Sequence, residues 1–81
     1  MTKDTDSIAK DNRTLWLCLE KTNSGMYYVL SEHLTRSQAV SNAKILLPSY
    51  GVVYIARLRN PSNMKQPYQS KDFSYLSPVY K

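Results

Sequence analysis

One cysteine, one histidine and two glycines are all that these 81 residues hold of the types from which most chemical sites are built. A single thiol, Cys18, allows no internal disulfide and fits a reducing compartment, so a cytoplasmic setting is expected. With one Cys, one His and scattered acids, no metal site is expected, because such a site needs three or four convergent ligands. No cofactor is expected either, since the chain carries no glycine-rich phosphate loop. No apolar run approaches the roughly 20 residues that a membrane span requires. The opening stretch MTKDTDSIAKDNR reads as too polar for a secretory signal. The sequon Asn12-Arg13-Thr14 is then expected to go unused, because glycosylation needs a secreted chain. Asp4-Thr5-Asp6 begins like a calcium loop, but the glycine and closing glutamate that such a loop requires do not follow.

Acid is missing from nearly half of the chain. Residues 1–32 carry four basic and five acidic groups, a balance of −1. From His33 to Lys71 there are six basic residues and no acid, a balance of +6. That asymmetry suits an anionic partner, either a nucleic acid or an acidic protein surface, or else a solvated basic face that keeps the protein in solution.

What is present reads as one small folded domain, at 42% hydrophobic and 11% aromatic residues with no internal repeat or low-complexity run. The organising segment is Thr35–Leu47. Thr35 can N-cap a helix, and Gln38 three residues on completes a capping box, with Leu34 and Ala39 at the positions of a hydrophobic staple. Ala39, Val40, Ala43, Leu46 and Leu47 recur at three- and four-residue steps on one stripe, and Pro48 is expected to end the helix.

Residues 1–13 read as a flexible lead-in. Thr14–Lys21 alternates strictly, with Leu15, Leu17 and Leu19 on one side and Thr14, Trp16, Cys18 and Glu20 on the other. The turn cluster Thr22-Asn23-Ser24-Gly25 joins it to a second strand, Met26–Ser31, as an antiparallel hairpin. Val52–Arg59, rich in β-branched and aromatic residues, is a third strand. A right-handed crossover through the helix would lay it beside the first. The expected fold class is therefore α+β: a ββαβ core over 14–60, an antiparallel sheet of order 2-1-3, and the helix on one face. Residues 61–81 belong to the same domain as a loop, Asn60–Ser70, and an aromatic C-terminal arm that forms a short fourth strand or packs on the sheet.

Catalysis finds little support. His33 stands alone just before the helix cap, and Cys18, between two leucines, reads as a buried inert thiol. The sheet face away from the helix is the place to look for function. Trp16 and Cys18 are expected there, with Tyr27 and Val29 or Tyr28 from the hairpin, and Val53, Ile55, Arg57 and Arg59 according to register. Aromatics and arginines on an open sheet hold single-stranded nucleic acid in several folds. Alternatively Phe73, Tyr75, Leu76, Val79 and Tyr80 bury themselves on this face and Trp16 is core.

The chain is expected to be a non-catalytic binding protein that acts by occupying a partner macromolecule. A protein partner would meet Tyr27, Arg57, Arg59, Tyr68, Tyr75 and Tyr80. The alternative, nucleic acid, would use Trp16, Arg36, Lys44, Arg57, Arg59 and Lys65 of the basic half. A third reading is a self-associating structural subunit, a homodimer through the open face or its edges. In general character (very short, one domain, no catalytic set) the chain is similar to the accessory and inhibitor proteins of bacteriophages and mobile elements. That resemblance implies action on a host macromolecule and is carried by no particular residue.

Overall fold

Alternation in the first strand decides most of the architecture. The computed structural model describes residues 15–59 and 66–81. Residues 1–14 and 60–65, with the lead-in expected over 1–13, the start of the expected loop and Lys65, lie outside the described residues. Strand β1, Trp16–Lys21, turns through Thr22–Gly25 into β2, Tyr27–His33. Gly25 takes φ 87°, a left-handed conformation that a side chain would strain. The turn closes through Gly25 N–H to Thr22 O at 2.9 Å and Thr22 N–H to Met26 O at 2.8 Å. Leu19 pairs with Val29 but Cys18 pairs with Ser31, so Leu30 is the extra residue of a bulge.

Helix α1, Arg36–Tyr50, begins as its sequence implies, with Thr35 in an extended conformation and its Oγ1 accepting Gln38 N–H at 3.1 Å. The reciprocal arm differs by one residue: Gln38 Oε1 accepts the Leu34 N–H, at 3.2 Å, rather than that of Thr35. The staple is not made, for Leu34 is 69% exposed while Ala39 turns onto the sheet. The expected stop at Pro48 is also corrected. The helix runs through Pro48 to Tyr50 and ends at Gly51, φ 78°, whose N–H reaches Leu47 O at 2.7 Å. Proline in the last turn forfeits only the bond to the Lys44 carbonyl, on the exposed side of the helix, and its fixed φ is already helical.

Strand β3, Val52–Leu58, and strand β4, Phe73–Tyr80, complete one antiparallel sheet of order β2-β1-β3-β4. The ββαβ core and the order 2-1-3 are thus observed, and the aromatic tail is a fourth strand on the edge. No helix among the described residues is long and apolar enough to cross a membrane.

Both faces of the sheet are covered. Under α1, Cys18, Val53 and Ile55 pack with Ala39, Ala43 and Leu47, flanked by Trp16, Leu30, Tyr75 and Val79. On the other face Leu17, Leu19, Ala56 and Leu58 pack with Tyr27, Tyr68 and Phe73. The expected assignment of faces is therefore reversed: Trp16 and Cys18 lie on the helix side. The alanines explain the choice, since small side chains let the helix sit close enough for Cys18 Sγ to reach Ala39 O at 3.2 Å.

The chain before β4 closes the other face. Tyr68 pairs with Tyr27 along the outer side of β2, with N–H to O distances of 2.8 and 2.9 Å, and Gln66 Oε1 accepts Val29 N–H at 2.9 Å. A single 3-10 turn, Ser70–Asp72, leads into β4, fastened by Gln69 N–H to Asp72 Oδ2 at 2.8 Å.

Candidate partner-binding surface

One residue from each strand meets in a single row across the helix side of the sheet. His33 of β2 pairs with Trp16 of β1, and Arg57 of β3 pairs with Tyr75 of β4. The β1–β3 register, Leu17 against Ala56, carried one position further sets Trp16 opposite Arg57. Rings and charges interleave along it. The Arg57 guanidinium carbon lies 4.9 Å from the Trp16 ring centroid, and Trp16 meets Tyr75 edge-on at 5.3 Å. Arg36, the first residue of α1, stands 5.8 Å from the Tyr75 ring, and its Nη2 donates to the Tyr75 hydroxyl at 3.2 Å. Hydrogen bonding from Arg36, then from Ser77, holds the Tyr75 phenol below the usual tyrosine range. Both cation–ring contacts set a positive charge against the negative face of a ring, an electrostatic attraction.

The other end of the row is tied to the helix by a polar chain. Ser31 Oγ donates to Asn42 Oδ1 at 2.6 Å and lies 2.8 Å from His33 Nε2. With the Ser31 hydrogen given to Asn42, His33 Nε2 is the donor of that second bond. Beneath this chain, burial pushes the Cys18 thiol above its ordinary value. Among the described residues no group of three or more His, Cys, Asp or Glu side chains is placed to hold a metal ion. The Ser31–His33 contact orients the histidine.

The row collects four of the residues named from sequence: Trp16, Arg36, Arg57 and Tyr75. Others fall elsewhere. Tyr27 and Tyr68, 4% and 2% exposed, are core residues rather than the surface contacts expected from sequence, because both supply the cover over Leu17 and Leu19. Arg59 donates from Nε to Lys71 O at 3.3 Å and from Nη2 to Phe73 O at 3.2 Å, which clamps the start of β4. Tyr80 is 72% exposed but pairs with Val52, at the far end of β4 from Tyr75, roughly 17 Å along the strand. Lys44 is exposed on α1.

Two members of the surface went unread in the sequence, His33 as a partner of Trp16, and Ser77 beside Tyr75. The hairpin carried the signal for the first, since a turn at 22–25 pairs the start of β1 with the end of β2. Ser77 needed the fourth strand and its register. Compared with known proteins, the chain matches no protein-family model, no curated protein and no solved structure.

Proposed function

We propose that this chain is a small non-catalytic binding protein that occupies a partner protein through an acidic surface. The contact is the row His33–Trp16–Arg57–Tyr75 with Arg36 beside it. The observation that supports this reading is the interleaving itself: Arg57 lies 4.9 Å over Trp16 and Arg36 lies 5.8 Å over Tyr75. Trp, Tyr and Arg are the residues that carry most interface energy, and side chains already held by one another lose less freedom on binding. Rigid-element placement favours the same use, since every member sits on a strand or at the start of α1.

Nucleic acid is the second reading, favoured by Arg36 and Lys44, both exposed and two turns apart along α1. It ranks second because the Trp16 face on which a base would stack carries Arg57. Self-association through the sheet edges is disfavoured by the cover on β2 and by Pro78 in β4.

Capture from source-cell lysate by the immobilised chain, beside oligonucleotide titration at low and near-physiological salt, tests the ranking. A captured protein lost with both Trp16→Ala and Arg57→Ala is the expected outcome. Oligonucleotide binding that falls steeply with salt, with no such protein, would replace it by the nucleic-acid reading.

A further inference from the structure

The β4 end of the row has a feature that the partner-binding reading does not require. Two donors meet in one small area, the Arg36 guanidinium and the Tyr75 hydroxyl, with Ser77 two residues further along β4. Arg36 Nη2 is 3.2 Å from the phenol oxygen. A guanidinium carries five N–H donors, so one bond to a neutral phenol leaves most of them to spare. The phenol, accepting from Arg36, keeps its own O–H for a further acceptor.

Arg36 is exposed, and Tyr75 and Ser77 are half-buried on the helix side of an edge strand, so an acceptor can approach from solvent. The described carboxylates lie away from this area. Glu32 pairs with Leu17 and so belongs to the opposite face. Asp72 Oδ2 is bound to Gln69 N–H. Glu20 stands four residues along β1 from Trp16, roughly 13 Å away.

We infer that Arg36 and Tyr75 form a carboxylate subsite, which takes a glutamate or aspartate side chain of an acidic peptide segment in the partner. The inference rests on the protein-partner reading above. Two parallel N–H donors of Arg36 match the two oxygens of a carboxylate. The Tyr75 O–H supplies a third, shorter bond. Trp16, edge-on to Tyr75 at 5.3 Å, fixes the ring and so the position of that donor.

The test uses the full chain and blocked hexaglutamate as the probe, followed by amide chemical shifts at low salt. Hexaglutamate is expected to shift the amides around Arg36, Tyr75 and Ser77. Tyr75→Phe keeps the ring and its packing while removing the hydroxyl, and is expected to weaken binding about tenfold, the loss usual for a hydrogen bond to a charged group. Arg36→Lys, which keeps the charge but not the paired donors, is expected to weaken it comparably.

Unchanged affinity in both variants overturns the subsite, and so do shifts confined to the Arg59–Lys71 corner. Inorganic phosphate shifting the same amides as far at equal ionic strength, with hexaglutamate binding no tighter, also overturns it. The protein-partner reading fails separately. If Tyr75→Phe leaves lysate capture intact while Trp16→Ala abolishes it, the subsite falls and that reading stands.

Discussion

Cys18 and Tyr75 lie on the same side of the sheet and their acid–base behaviour is shifted in opposite directions. Burial raises the Cys18 thiol, so the folded state prefers it protonated. The stability this contributes is complete below the ordinary thiol range and is lost as pH rises through the raised value. Ellman's reagent at pH 8 is expected to label native Cys18 far more slowly than the urea-unfolded chain; equal rates would mean that the helix does not cover the thiol. Tyr75 is the reverse case. Its phenol is held low by Arg36 and Ser77, so its contribution is absent at neutral pH and grows only as pH rises through the lowered value. Ultraviolet titration should show one tyrosine ionising ahead of the others, and Arg36→Ala should return it to the rest. The burial that raises Cys18 was legible in its place between two leucines, whereas the Tyr75 shift was not, because it depends on an approach between residues 39 positions apart in the chain.

At the scale of elements, local signals succeeded where local physics decides. Thr35 caps α1, and Thr35→Ala is expected to cost about 1 kcal/mol, read from urea midpoints. The hairpin and the central place of β1 followed from a short turn and strict alternation. Alternation could not say which face of β1 the helix takes, since Trp16/Cys18 and Leu17/Leu19 are both apolar pairs. Small residues on α1 made that choice. Pro48 misled for a related reason: a proline ends a helix only where the lost bond and the ring matter, and in a last turn closed by Gly51 they matter little. Tyr27 and Tyr68 misled because a tyrosine suits an interface and a core equally well.

The two sheet edges were illegible for lack of register, and they are protected by different means. On β2, Gln66 and Tyr68 occupy the outward N–H groups of Val29 and Tyr27. On β4, Lys81 N–H points inward to Gly51 O at 3.1 Å, so by alternation the backbone groups of Leu76, Pro78 and Tyr80 point outward. Pro78 thus sits where it lacks a donor and its ring obstructs an added strand. Pro78→Thr is expected to leave the fold intact and make apparent mass rise with concentration in sedimentation; a monomer at all concentrations would assign the protection to another feature.

Across the whole molecule, one sheet serves two cores that share no buried side chain. Strands β1 and β3 contribute alternate residues to each, so the cores are coupled through backbone. Loss of Leu17 or Leu58 packing on one face must disturb the register that places Cys18 and Ile55 on the other. A chain of 81 residues has little stability to divide, which makes independent melting of the faces unfavourable. Trp16 gives a direct check because the single tryptophan reports from the helix side, whereas Tyr68 anchors the far side. Tyr68→Ala removes an aromatic side chain from the core and is expected to destabilise by about 3 kcal/mol. Trp16 fluorescence and far-ultraviolet circular dichroism should nevertheless report one shared, lowered urea midpoint. If fluorescence held the wild-type midpoint while circular dichroism fell, the helix-side core and the row it carries would be stable without the far face. The row proposed as a binding surface would then rest on α1 and its packing alone, and substitutions under Tyr68 would leave its arrangement unchanged.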